Sequence, residues 1–151
     1  MKRLGALLAV VAAIGMMTVT PTTFAAGSGS SSTVGAIEHA QSDTTTDTGK
    51  HGDSPGDILT FANPLFNGAD KAKIGTDQGF CIRVVVGKSY ECTWTNFLPG
   101  GQIVVQGPFY DSKPSRLAIT GGTGKYADAQ GEMSLSELPG GTAYKFVFHL
   151  R

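Results

Sequence analysis

The chain is predicted to be all-β, an eight-stranded antiparallel protein of the sandwich or closed-barrel kind. Three observations carry that prediction: short apolar runs at even spacing, Gly/Pro-rich turns between them, and no helical period beyond the first 25 residues. Even spacing of this kind belongs to a sandwich or a closed barrel.

The first residues set the compartment. Met1, Lys2 and Arg3 make a basic start, residues 4–19 are almost wholly apolar, and Thr23-Phe24-Ala25 before Ala26 offers a small-residue cleavage site. Residues 1–25 therefore read as a secretory signal peptide, because the apolar run is shorter than the roughly 20 residues of a membrane span. No cysteine follows the run, so a lipid anchor is not indicated. The expected location is secreted or periplasmic, with no membrane association after cleavage. Residues 26–33 are Gly/Ser-rich and read as a flexible leader, leaving residues 34–151 for a single barrel domain. The whole chain carries 12 basic and 12 acidic side chains. Without a basic patch or run, nucleic acid and anionic lipid are not expected partners.

Taken in order, residues 34–47 are polar and threonine-rich, and their β-branched content favours an edge strand. Residues 57–66 form a strand interrupted at Asn63-Pro64, where the missing proline N–H implies a bulge or an edge. Residues 79–86 and 90–98 make a hairpin around Gly87-Lys88-Ser89. Residues 102–106, 115–120, 131–138 and 142–150 complete the set, with Pro99-Gly100-Gly101, the 111–114 turn and Pro139-Gly140-Gly141 between strands. Gly121-Gly122-Thr123-Gly124 is predicted to be a tight strand-to-strand corner, since glycine tolerates positive φ there.

The same glycines offer two other readings, and both fail. A Walker loop has Gly where Ile119 stands and Ser or Thr where Tyr126 stands, and a Rossmann turn must open a helix, whereas residues 131–138 alternate like a strand. Nucleotide binding is excluded on that context. His39, His51 and His149 lack metal-ligand spacing, so no metal and no cofactor is expected. There is no G-x-S-x-G elbow and no carboxylate pair in a glycosidase context.

Strand parity then selects faces. Tyr144, Phe146, Phe148 and Leu150 share one face of the last strand, and Tyr90, Cys92, Trp94, Asn96 and Leu98 share one face of the 90–98 strand. Large aromatics with a few polar atoms suit either a filled core or a lumen for a hydrophobic or amphipathic small molecule, with Trp94 and Phe146 in its wall.

At this level of detail a family resemblance emerges. Residues 56–65 (Gly-Asp-Ile-Leu-Thr-Phe-Ala-Asn-Pro-Leu), Gly75 with Gly79-Phe80-Cys81, residues 101–109, residues 117–124 and the closing Phe146-Val147-Phe148-His149-Leu150 together resemble the allene oxide cyclase family. The Gly-Gly-Thr-Gly stretch is shared with dirigent proteins, and the likeness is greatest to a secreted bacterial branch. The resemblance implies an eight-stranded barrel with a lumen, often trimeric in plants, so a homo-oligomer of two or three copies is the implied assembly. It implies an isomerase that folds an unsaturated fatty-acid epoxide into a cyclopentenone, using an ordered water and a carboxylate. Residue by residue, Asn63 matches the Asn that holds the water, Cys81 a Cys near the reacting part, and Glu38 the first-strand carboxylate. The Ser-Pro and second Asn that should follow have no counterpart here.

The residues taken on their own leave alternatives open. Asn63 before Pro64 could bond the freed backbone at the strand break. Glu38, on a polar strand, reads equally as solvated. Arg83 shares the parity of Cys81 and would be either a lumen clamp for a carboxylate or a snorkelling side chain. Cys81 and Cys92, one on each strand of a hairpin in an oxidising compartment, suggest a disulfide; a two-residue loop at Val86-Gly87 sets them directly opposite, and one at Gly87-Lys88 makes them diagonal. A bridge would deny Cys81 a free thiol. Two functional classes follow: a cyclase or isomerase that holds a flexible substrate in one conformer, or a non-catalytic barrel, dirigent-like guide or binding module.

Overall fold

The computed structural model describes residues 31–151; the predicted signal peptide and most of the predicted leader lie outside them. The described residues form ten strand segments and no helix: β1 (Ser32–His39), β2 (Thr44–Thr46), β3 (Ile58–Phe61), β4 (Pro64–Asn67), β5 (Lys73–Val85), β6 (Ser89–Leu98), β7 (Gly101–Tyr110), β8 (Ser115–Gly124), β9 (Gly131–Glu137) and β10 (Ala143–Leu150). Each of β5 to β9 pairs antiparallel with the next, β1 pairs with β10 and β4, and β4 pairs with β5. The sheet closes on itself. Ten segments make eight staves because two are broken: β1 continues into β2 and β3 into β4, and the breaks face each other at residues 40–43 and Ala62-Asn63.

The single strand predicted over residues 34–47 is thus two segments with a gap. Its start also moves: Ser32 and Thr33, assigned to the leader, already pair with Leu150 and His149. The second stave breaks where Pro64 predicts it.

The interior matches the parity argument. Phe146, Phe148, Leu65, Ile103, Val105, Leu117 and Met133 are fully buried, each on an inward face. At the end where β1 begins and β10 finishes, Tyr126 and Ala129 from the β8–β9 connection turn inward and seal the barrel. The opposite end, ringed by the connections at 47–57, 86–88, 111–114 and 138–142, carries the mouth.

The glycine-rich corner is a correction. Residues 121–124 are the last four residues of β8, paired with β7 across a bulge that leaves Thr120 unmatched, and the turn comes afterwards at residues 125–130. Glycine is needed there for space more than for turning. A Cβ on Gly122 would run into the carbonyl oxygens of Tyr126 and Gln102, and one on Gly124, at φ +61°, into that of Gly100.

The Cys81–Cys92 disulfide forms, with the two residues directly opposite as a loop at Val86-Gly87 would require. That register is reached differently. Val84 bulges out of the ladder and the connection runs through Val86, Gly87 and Lys88, with the Lys88 N–H donating to the Val85 carbonyl at 3.0 Å. With both cysteines bonded there is no free thiol among the described residues, which removes Cys81 as a catalytic group.

Candidate functional site

Because the first two staves are broken at the same level, residues 40–43 have no ladder pairing with Ala62-Asn63, and the Asn63 side chain takes up backbone donors there. Its Oδ1 accepts from the Gln41 N–H at 2.8 Å, the Ser42 N–H at 3.0 Å and the Ser42 hydroxyl at 3.2 Å. Two of these donors are backbone amides, so the orientation of the carboxamide is fixed and its NH2 must point the other way. That NH2 donates to Glu38 Oε1 and Asp43 Oδ1, both at 2.8 Å. Asn63 thus bonds the freed backbone at the strand break and, by doing so, aims two donors at two carboxyls.

A third acid stands behind them. Asp77 on β5 is almost completely buried, and its Oδ1 accepts from the Asn63 N–H at 3.1 Å. Glu38 is buried as well, with 6% of its surface exposed, so it is not the solvated side chain its polar strand suggested. Burial pushes the Glu38 carboxyl up to about 7; the Asn63 bond works against this and the neighbouring Asp43 charge adds to it. Burial, followed by the charge of Glu38, pushes Asp77 up to about 9. Carboxyls in such surroundings hold protons at neutral pH, the condition for acid–base work near pH 7.

Glu38 and Asp43 form the polar part of the wall of a cavity of about 220 Å³ in the mouth half of the barrel. The rest is apolar and aromatic: Leu59, Phe61, Tyr90, Trp94, Phe109, Leu135, Tyr144 and Phe146, with Cys81 of the disulfide. Phe61 meets Trp94 edge-on at 5.8 Å and Phe109 meets Tyr144 likewise at 5.9 Å, which holds the rings in place. Trp94 is held from below, its indole N–H donating to Asn96 Oδ1 at 3.3 Å while Asn96 Nδ2 donates to the Ile103 carbonyl at 3.1 Å. Gly79 lies opposite Trp94, and a Cβ there would strike it.

Arg83 points inward as its parity predicted but does not line the cavity. Its Nε donates to Asp53 at 2.6 Å, its Nη1 to both oxygens of Asp111 at 2.8 Å, and the guanidinium stacks 3.6 Å above the Tyr90 ring. The clamp expected for a ligand carboxylate is filled by the protein's own acids, and Asp53 ties the 47–57 connection down onto β5. Asp57 anchors the base of that connection. The Thr48 and Ser54 N–H groups on its carboxylate hold it below the ordinary Asp range.

Of the predicted residues, then, Glu38, Trp94, Phe146 and the disulfide meet at the cavity, Asn63 stands behind Glu38, and Arg83 belongs to the rim. Asp43, Asp77, Tyr90 and Tyr144 are the additions. No cluster of three or more His, Cys, Asp or Glu among the described residues is arranged to hold a metal ion.

A match to the allene oxide cyclase family model spans residues 37–151, the whole barrel except the first five residues of β1. The chain belongs to the allene oxide cyclase family. A pyocyanin demethylase shares its fold with a TM-score of 0.70 and 28% identity, over 80% of this chain and 100% of that one. A pterocarpan synthase dirigent protein superposes with a TM-score of 0.66 at 15% identity, over 80% of this chain and 84% of the other. A Diels-Alderase from Streptomyces koyangensis does so with a TM-score of 0.66 at 21% identity, over 80% and 63%. The last two show the fold alone.

Proposed function

We propose that this allene oxide cyclase family barrel binds a flat, apolar or amphipathic small molecule in the aromatic cavity and steers its isomerisation or ring closure, with Glu38 as the group that gives and takes the proton. The observation that carries this reading is a buried carboxyl, Glu38, pushed up to about 7 at the polar edge of a largely apolar cavity. Aromatic walls fix the orientation of a planar ligand, and orientation supplies much of the acceleration in an intramolecular closure. A cavity of about 150 Å³ accommodates benzene, so 220 Å³ suits one to two fused rings, with any longer part of the ligand reaching out of the mouth. The 28% identical neighbour, named for its action on pyocyanin, supports starting with flat heteroaromatic compounds. The disulfide supports export to an oxidising compartment. Phe80, Ile82 and Val84, exposed on the outer face of β5, are the surface through which two or three copies would associate, an assembly that sedimentation analysis reads directly.

The test is titration of phenazines, phenolics and fatty-acid epoxides against the fluorescence of Trp94, the single tryptophan of the chain, followed by product analysis for any compound that binds. Glu38→Gln should bind such a compound and lose conversion by at least a hundredfold, the ordinary contribution of general acid–base catalysis. Unchanged conversion by the variant would remove Glu38 from the chemistry and leave a guide that orients a reactive intermediate.

A further inference from the structure

Asp77 has a feature that the reading above does not use: its second carboxyl oxygen, Oδ2, is buried and has no hydrogen-bond partner among the described residues. An ionised carboxylate would leave half its charge on an oxygen closed off from solvent and without a donor among the described residues, in a site that already holds two other acids. The effective cost of an unpaired buried ion is several kcal/mol, and nothing here offsets it. As a neutral acid the same oxygen becomes an O–H donor, and the acceptor beside it is the Glu38 carboxyl: a side-chain hydrogen bond between the two raises Asp77 and lowers Glu38. Asp77 is kept in place from the other side, with Asn63 N–H on Oδ1 and its own N–H donating to the Asn63 carbonyl at 2.9 Å.

We propose that Asp77 is a positioning residue, held as the neutral acid to donate a hydrogen bond to Glu38, so that the carboxyl facing the cavity gives up its proton while the one behind keeps its own. This rests on Glu38 being the proton-transfer group. It also narrows the ligand: the molecule must carry a proton acceptor at its polar edge, a carbonyl or epoxide oxygen or an aromatic ring nitrogen. When Glu38 protonates that atom, the resulting carboxylate is met by two hydrogens, one from the Asn63 amide, whose other N–H goes to Asp43, and one from Asp77. A proton leaving the rearranged ligand returns to Glu38, so the pair ends the cycle with the two protons it began with. The charges around the pair fit this assignment. Asp43 adds negative charge to both, the Tyr144 hydroxyl opposite Glu38 is itself pushed up by burial and then by the charges of Glu137, Glu38 and Asp43, Asn96 opposite Asp77 is neutral, and His39 exerts only the weakest attraction on Glu38.

The decisive measurement is a carbon-13 NMR titration of the side-chain carboxyls of Glu38 and Asp77 in the full protein without ligand, alongside Asp77→Asn and Asp77→Leu. In the wild type Asp77 is expected to titrate above Glu38. Asparagine keeps a neutral donor, so the Glu38 midpoint should stay within one pH unit of wild type, whereas leucine removes the donor and should raise it by more than one unit. Asp77 titrating at or below the ordinary Asp range, or a Glu38 midpoint that falls by more than a unit in the asparagine variant, would show that Asp77 is charged and overturn the proposal. A leucine midpoint equal to wild type would leave Asp77 a purely structural role and overturn it too. Should the leucine variant not fold, the order of the wild-type midpoints and the asparagine shift decide the matter. None of these readouts needs a ligand, so a barrel that binds without converting would sink the catalytic reading of Glu38 without changing the titration order of Asp77 and Glu38, and the two failures are told apart.

Discussion

Raising the pH should destabilise this protein through the range in which most proteins are steady. A carboxyl whose folded-state value lies above its unfolded one makes the folded state the tighter proton binder. Its stabilising contribution is complete below the unfolded value and disappears as pH climbs to the folded one. For Glu38 those limits are 4.5 and about 7. At 1.36 kcal/mol per unit, Glu38 alone contributes about 3 kcal/mol that is present at pH 4.5 and gone above pH 7. Asp77, moving from 3.8 to about 9, extends the loss to pH 9. Against a typical total of roughly 5–15 kcal/mol this is a large slope. Urea unfolding at constant ionic strength, followed by Trp94 fluorescence at pH 5, 7 and 9, measures it, and Glu38→Gln, which cannot ionise, should flatten the lower half of the curve and exceed wild type at pH 9. Stability that is level or rises between pH 5 and 9 would refute the burial argument. So would a Glu38→Gln curve parallel to wild type. Asp57 acts in the opposite sense, its contribution being lost as pH falls through its lowered value.

Three further outcomes are expected. Asn63→Leu strips the backbone amides of Gln41 and Ser42 of their acceptor and both carboxyls of their donor; at about 1 kcal/mol for each bond it should lose about 4 kcal/mol in urea unfolding and move Glu38 further upward in the NMR titration. Gly122→Ala, whose Cβ would press on two carbonyl oxygens, should melt well below Gly140→Ala, which carries positive φ but meets open space and should cost only about 1 kcal/mol; equal melting temperatures would contradict the crowding assigned to β8. Replacing Cys81 and Cys92 together by serine should cost about 3 kcal/mol, the loop-entropy value for a separation of 11 residues, and leave the far-ultraviolet circular dichroism spectrum unchanged.

Much of the barrel could be read from the sequence because parity is local. Tyr90, Cys92, Trp94 and Asn96 alternate with polar neighbours, and one inward assignment settles all four. The break at Asn63-Pro64 was legible for the same reason, since a missing N–H is a property of one residue. The acids were not. Asp77 has the parity of Cys81 and Arg83, which points inward, but a lone aspartate is ordinarily solvated, and what holds it inside is a strand break 14 residues earlier in the chain. Arg83 failed in the complementary way: its direction was right, yet its partners Asp53 and Asp111 come from connections 30 and 28 residues distant. The glycines of β8 misled because freedom in φ serves a turn and a crowded strand alike, and only the neighbouring carbonyls distinguish them.

The pairing of Ser32 with Leu150 has a practical side. Both termini of the folded domain emerge at the sealed end, where the Arg151 N–H also donates to the Gln130 carbonyl at 3.0 Å. Whatever is joined to the barrel at either terminus, whether a carrier protein, an affinity handle or a solid support, hangs from its base and leaves the opening facing outward. Immobilised protein should therefore retain access for ligand irrespective of which terminus is used, and a fusion partner meant to obstruct entry would have to be inserted in the 111–114 or 138–142 connection instead.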